Sequence, residues 1–355
     1  MIKSIVIEKE ADYTERCLEW TEIVRAFPDY DIYSLPGYSM PFAIHGDGIP
    51  MLIYYESNDF KAFSVHMLRK IESTALIGDF YDISSPYGYG GWHIFGRHTA
   101  SGLEELHNQF VDFLKTNNII CSFVRYTPLC RNYIYDNKLY DIVYCGKTIE
   151  MILDTKEIIW KNITSKNRNT IRKAKNNNVS IGHAHNDLEL LNKFKMMYDE
   201  TMRRDNAESY YFFPSKFYEA LNYFLSDNHE IFYALYEGQL IAMSIILFAN
   251  DSIHYHLSCS IYEYRHLAPS NLLLYEVAKW GNDNGFKHFH LGGGLGGHQD
   301  QLYKFKAAFN RNSDCSFYIG KLLADKEAYD SLVKERCQNN PKFDLKSGYF
   351  PLYRV

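Results

Sequence analysis

The residues best placed by type to do chemistry lie between positions 253 and 309. A β-rich run, IHYHLS (253–258), leads past Arg265 into a helix that opens Pro269-Ser270-Asn271. The first turn of a helix leaves amide N–H groups unpaired and carries partial positive charge. With Arg265 upstream, that turn is a candidate anion site for a pyrophosphate or an activated carboxyl group. A plain strand-to-helix turn capped by Ser270 or Asn271 accounts for the same residues. Further on, Gly292, Gly294 and Gly297 satisfy G-x-G-x-x-G within LGGGLGG (291–297). A dinucleotide fingerprint opens a βαβ unit and has an acid ~20 residues later. Here the run lies late in the chain and position 317 is Phe. It reads instead as a loop whose backbone closely approaches a ligand or another strand.

Three further groups of residues invite a chemical reading. His254 and His256 alternate on one strand, and His288 and His290 on another. Period 2 places each pair on one face, so four imidazoles can converge on a metal if the strands are neighbours. No carboxylate or thiolate shares that spacing, and the histidines read as core or site-lining residues with no metal assigned. The segment SSPYGYGG (84–91) combines small residues with Tyr87 and Tyr89, which suits a sugar or peptide ligand or a packed, twisted loop. Lys161, Lys166, Arg168, Arg172, Lys173 and Lys175 occur with no acid among them, either to hold phosphates or as a solvated helix face.

The elements that must position these residues follow from periodicity. Residues 4–8 read as an opening strand, and 49–56 and 61–68 as a hairpin turning at Ser57-Asn58-Asp59. Residues 103–118 have amphipathic helical spacing, with a strand after them at 119–126. In the second half, 157–175 reads as one helix and 231–258 as a three-stranded meander with turns at Glu237-Gly238 and Asn250-Asp251. A helix from Pro269 to Asn284 stops at Gly285, followed by a strand at 286–291 and a helix at 300–309. Each half runs helices, antiparallel meander, helix, strand, which defines an α+β or mixed α/β class rather than a doubly wound parallel sheet. The expected bounds are 1–150, 151–330 and a polar tail, 331–355.

Composition supports this. The chain has 355 residues, 46% hydrophobic and 23% charged, with net charge −5. These values exclude a disordered chain, a coiled coil and a collagen-like fibre, and argue against a general nucleic-acid coat. Seven cysteines without a CxxC pair read as free thiols in a reducing compartment. The first residues, MIKSIVIEKEADYTE, lack a secretory pattern, and no apolar run approaches the ~20 residues of a membrane helix. A cytoplasmic protein is expected.

Taken in order, Ser84–Gly90, the segment 160–175, Tyr198-x-x-Thr201-Met202-x-Arg204 with Tyr210-Tyr211-Phe212, Arg265–Asn271, LGGG (291–294) and FKAAF (305–309) resemble the FemAB/FemX-like branch of the GNAT acyltransferase superfamily. The resemblance covers most of 30–325. It implies two tandem GNAT-like domains packed together, with no tightly bound cofactor and with acyl-CoA or aminoacyl-transfer RNA as donor. GNAT proteins hold a donor pyrophosphate on Gln/Arg-x-x-Gly-x-Gly/Ala. The matching segment here is Arg265-x-x-Ala268-x-Ser270, in which both glycine positions have changed.

FemAB-type enzymes add amino acids from transfer RNA to peptidoglycan precursors. The resemblance therefore implies acyl or aminoacyl transfer to an amine of a small-molecule or nucleotide-linked envelope precursor, either a peptidoglycan peptide or an amino sugar of a surface polysaccharide. Donor binding falls to Arg265, Ala268, Ser270, Asn271, Gly292, Gly293 and Gly294. Acceptor binding falls to Ser85, Tyr87, Tyr89, Arg168, Arg172 and Arg204. Lys306 matches a lysine that stabilises the tetrahedral oxyanion in FemX-type enzymes. Tyr211, Glu208, Asp205 and His256 are all candidates by type for a general base, with Tyr211 taken forward. A catalytically inactive module that binds a sugar or peptide is the alternative.

Overall fold

The computed structural model describes residues 1–8, 13–340 and 342–355. By contact density the chain divides into two units, Met1–Tyr144 with Phe317–Val355, and Cys145–Ser316. These bounds differ from the expected ones because the C-terminal segment belongs with the first unit.

In the first unit β1 (Ile2–Val6) leads to α1 (Tyr13–Arg25) and α2 (Pro36–His45). Strands β2 (Ile49–Glu56), β3 (Phe60–Ile71) and β4 (Phe80–Ser84) then extend an antiparallel run from β1. A short β5 (His93–Gly96) also pairs with β3. Helix α3 (Ala100–Thr116) carries the chain to β6 (Ile119–Arg125), parallel to β4. Apolar residues of α3 recur at helical spacing, so Leu106, Phe110 and Leu114 are buried in a core with Met51, Ile53, Ile83 and Val124.

Strand β7 (Asp141–Ile152) takes the chain into the second unit. Helices α4 (Lys156–Asn162) and α5 (Ser165–Asn176) precede β8 (Ser180–His185), α6 (Leu188–Arg204) and α7 (Ser215–Phe224). Strands β9 (His229–Tyr236), β10 (Gln239–Ala249) and β11 (Ser252–Ser260) form the expected meander, with β8 on its outer edge. Helix α8 (Pro269–Asp283) crosses to β12 (His288–Gly292), which is parallel to β11 and antiparallel to β7. After α9 (Gln301–Ala307), β13 (Cys315–Leu323) returns the chain to the first unit, antiparallel to β6, and α10 (Lys326–Asn339) follows.

Both units thus repeat one topology. Four antiparallel strands end in a helical crossover to a parallel fifth strand, with an antiparallel sixth beyond it. The orders are β1-β2-β3-β4-β6-β13 and β8-β9-β10-β11-β12-β7. A parallel pair needs such a crossover, and a helix is its usual form.

Two expectations need correction. The helix read over 157–175 is broken: Ile163 is extended, and the Thr164 side chain caps α5 by accepting the Asn167 amide. Residues 331–355 are not merely a polar tail, since α10 buries Ala328 and Leu332 against Ile71, Ile120 and Cys121. Pro36 and Gly37 start α2, because proline fits the first turn where its missing N–H has no partner to lose.

Candidate functional site

In the second unit, β11 and β12 pair only through Ser252–His254 and His288–His290. Beyond His254, β11 runs on to Ser260 beside β10, while β12 continues to Gly292 beside β7 with a bulge between His290 and Gly292. The parallel strands part at their carboxyl ends, where α/β folds receive ligands. Strand β11 leads from that end into α8, and β12 leads into the glycine run.

Lys306, on α9, is 8% exposed. Its Nζ donates to the Gly293 carbonyl oxygen at 2.8 Å and lies over the Tyr255 ring at 5.9 Å. A Cβ built on Gly292 would stand 3.2 Å from that Nζ. Burial lowers the ammonium's pKa to about 8, against an opposing pull from Asp300. Asp300 itself caps α9, accepting the Tyr303 and Leu295 amides at 2.8 and 3.0 Å, and these bonds hold its carboxyl below the usual range. The glycine run is therefore folded on its own loop and tied to α9.

The same run needs glycine at a close approach. A Cβ on Gly146 would meet the Gly297 carbonyl oxygen at 2.1 Å, and one on Gly297 would meet that of Cys145 at 2.3 Å. No side chain fits either position. Close approach to another strand, one of the two readings of LGGGLGG, is thus realised at Gly297.

At the start of α8, Ala268 adopts φ 54, ψ 48, the left-handed conformation that glycine takes without strain. Pro269 has no amide hydrogen, and no side chain caps the helix. Ser270 and Asn271 occupy the first turn. The Asn271 side chain donates to Asn167 Oδ1 at 2.8 Å, and Asn167, 3% exposed on α5, keeps its Nδ2 buried without a hydrogen-bond partner. Arg265 lies in the preceding 3-10 turn, its guanidinium 4.9 Å from the Tyr262 ring centroid.

The histidines are not gathered as a ligand set among the described residues. His254 and His290 are register partners with rings 5.7 Å apart. His290 bonds Thr148 Oγ1 at 2.9 Å, and burial pushes its pKa down. His288 turns to Glu150, 2.5 Å from Oε1. Burial, with His254 beside it, lowers His256 to about 3.

Among the other candidates, Arg168 bonds the carbonyl of Ile163 at 2.6 Å, with Trp160 and Lys161 carbonyls beyond, and so closes the end of α4. Arg172 lies over the Trp160 ring at 5.1 Å. Arg204 bonds the Ser260 carbonyl at 2.9 Å and pairs with Asp205. Tyr211 sits in a 3-10 turn after α6, edge-on to Tyr210.

The first unit holds the Tyr/Gly loop. Ser85 is buried, and its hydroxyl accepts the Arg125 amide at 3.1 Å. The Arg125 guanidinium donates to the carbonyls of Ser85, Pro86 and Gly88 at 3.2, 2.8 and 3.0 Å. Tyr38 donates to the Tyr87 carbonyl, whose ring stacks on Phe42. Tyr89 packs edge-on against Tyr33 and Phe317. Sequence reading missed Arg125 as the loop's organiser, and Asn167 and Asp300 at the other site. An arginine ending a strand just before Thr127-Pro128 was the available signal.

Residues 165–305 match the family described as the acetyltransferase (GNAT) domain. FemX has a similar structure, at TM-score 0.67 and 12% identity over 92% of this chain and 99% of that one. A conserved protein of unknown function from Bacteroides thetaiotaomicron follows at TM-score 0.58 and 13% identity, over 91% and 100%. The C-terminal domain (DUF2156) of a putative lysylphosphatidylglycerol synthetase from Agrobacterium fabrum gives 0.55 and 12%, over 88% and 92%. No curated protein matches the sequence. Residues 165–305 thus resemble a GNAT domain, and the chain as a whole shares the mixed α/β fold of FemX. No helix among the described residues is long and apolar enough to cross a membrane.

Proposed function

We propose that the protein is an N-acyltransferase that moves an acyl or aminoacyl group onto an amine of a cell-envelope precursor. The observation that carries this reading is the buried ammonium of Lys306 at the open end of β11 and β12. Attack of an amine on an activated carbonyl creates a tetrahedral oxyanion, and a fixed cation shielded from water stabilises that charge strongly. The β11–β12 ladder covers only Ser252–His254, and the parting of the two strands beyond it suits an extended donor arm laid beside β11 as an added strand.

The start of α8 is the donor's anion site in this reading. The Ser270 and Asn271 amides face the helix end, and the Asn167 Nδ2 supplies a buried donor beside them. Lys306 serves the reacting centre in this reading. The likeness to FemX and to a putative lysylphosphatidylglycerol synthetase domain supports an envelope acceptor. Acyl-CoA is the donor tested first, because the matched family is one of acetyltransferases.

Isothermal titration with acetyl-CoA at two salt concentrations tests the donor. Micromolar binding with shallow salt dependence supports acyl-CoA. Absence of binding, together with steeply salt-dependent binding of charged transfer RNA, moves the donor to aminoacyl-transfer RNA. Binding of neither donor, with a sugar or peptide bound but not turned over, overturns the enzyme reading in favour of a binding module.

A further inference from the structure

Three side chains of metal-ligating type converge in the first unit. Asp29 lies in the turn after α1, His93 opens β5, and Cys130 sits in the turn after β6. Their ligand atoms all lie within 4.8 Å of one another. His93 Nδ1 is 3.6 Å from Asp29 Oδ2, and the Cys130 thiol donates to the Asp29 carbonyl oxygen at 3.5 Å. His93 is 1% exposed, yet neither ring nitrogen has a partner within hydrogen-bond distance. Buried polar groups are nearly always satisfied, so an imidazole left this way calls for an explanation. Its plane is set by stacking on Phe63, at 4.8 Å and 11°, and Phe27 packs edge-on against the same Phe63. The ring is thus held by packing, with Nδ1 toward the carboxylate.

We propose that Asp29, His93 and Cys130 bind one divalent transition-metal ion of the zinc type. Imidazole nitrogen, thiolate sulfur and carboxylate oxygen together suit a borderline ion, whereas calcium and magnesium require oxygen ligands. Zinc holds these atoms at about 2.0–2.3 Å, which at tetrahedral angles spaces them roughly 3.3–3.7 Å apart. The 3.6 Å between His93 and Asp29 already meets that spacing. The Asp29 carboxylate is 41% exposed, so solvent reaches the site and a water completes the fourth position. The aromatic neighbours Phe27 and Phe63 form an apolar shell on the buried side. Binding releases the Cys130 thiol proton to solvent, so affinity rises with pH. The three ligands come from separate segments, and the ion ties the turn after α1 to β5 and to the turn after β6.

The test is cobalt(II) titration of the full-length protein after chelator treatment. The expected result is one equivalent bound, with a thiolate-to-cobalt charge-transfer band and the intense visible bands of tetrahedral cobalt, both lost on adding one equivalent of zinc. Cys130→Ser removes the charge-transfer band while far-ultraviolet dichroism is unchanged. Asp29→Asn, a change at the surface, weakens cobalt binding at least tenfold. No charge-transfer band in the wild type, or a band that persists in Cys130→Ser, overturns the proposal. If Cys130→Ser fails to fold, an unchanged cobalt affinity in Asp29→Asn overturns it instead.

Discussion

Lys306 donates a hydrogen bond from its buried ammonium to the Gly293 carbonyl oxygen, which ties α9 to the glycine loop after β12. The pair makes the proposed reaction pH-dependent. With a pKa of about 8, Lys306 is a cation below that pH and neutral above it. Acyl transfer by the wild type is therefore expected to fall above about pH 8 although the acceptor amine becomes more nucleophilic. Lys306→Arg moves the fall beyond the accessible range, and Lys306→Gln lowers kcat about 10²–10³-fold at pH 7. A profile of kcat against pH that is the same in wild type and Lys306→Arg counts against the assignment. The sign for stability is the reverse. The folded pKa lies below the usual 10.5, so the charged form destabilises the fold, and stability rises between about pH 8 and 10.5.

Ala268 bears a left-handed backbone that costs about 1 kcal/mol in a residue with a Cβ. Ala268→Gly relieves this but loosens the unfolded chain by a similar amount, so the melting temperature barely changes. Removing the Cβ at the start of α8 is expected to tighten acyl-CoA binding. Ala268→Val, branched where φ is positive, loses roughly 1–3 kcal/mol. Chemical denaturation and donor titration on the two variants separate the backbone effect from the ligand effect.

Asp82 on β4 is fully buried and receives three donors. Arg69 reaches Oδ1 at 2.6 Å, and Tyr353 and Arg354 reach Oδ2 at 2.8 and 2.6 Å. Removing one partner of a buried ion pair leaves uncompensated charge. Asp82→Ala is expected to cost roughly 3–5 kcal/mol in urea denaturation. Arg354→Ala costs less, because Arg69 and Tyr353 remain. Equal losses in the two variants are the result that rejects this ranking.

Asp136 is also fully buried, and burial raises its carboxyl to about 7, while Tyr126 donates to it at 2.8 Å. Its folded pKa exceeds the unfolded value near 4, so the folded state holds the proton through that window. The contribution to stability is full below about pH 4 and is lost as pH rises toward 7. Asp136→Asn is expected to flatten this part of the stability profile. An unchanged slope between pH 4 and 7 in the variant assigns the dependence to other groups.

Much of this fold was legible because burial imposes period on sequence. The hairpin of β2 and β3, the meander β9–β11 and helices α3 and α8 all follow apolar spacing. Edge strand β8 escaped because SIGHAH buries none of its residues fully. Helix α10 escaped because only Ala328 and Leu332 face the core. Helix α2 is apolar all round, so it has no stripe to read. At the site, Lys306 and Ala268 stood within recognisable segments. Arg125, Asn167 and the Asp29–His93–Cys130 group act through tertiary proximity alone, with no spacing to betray it. The basic run read as either a phosphate surface or a solvated helix face, and within it Arg168 bonds the carbonyls that end α4.

The first unit is interrupted in sequence by the whole of residues 145–316, and β6 pairs with β13 on the far side of that interval. At about 5–20 residues per second, a ribosome takes roughly 10–30 s to supply the missing strand. During that wait β6 is an open edge bearing Ile120, Cys121 and Val124, the kind of edge that recruits other nascent chains. Synthesis of this protein therefore includes an obligatory pause in an unfinished state, and its yield in cells depends on translation speed and on whatever shields that edge meanwhile.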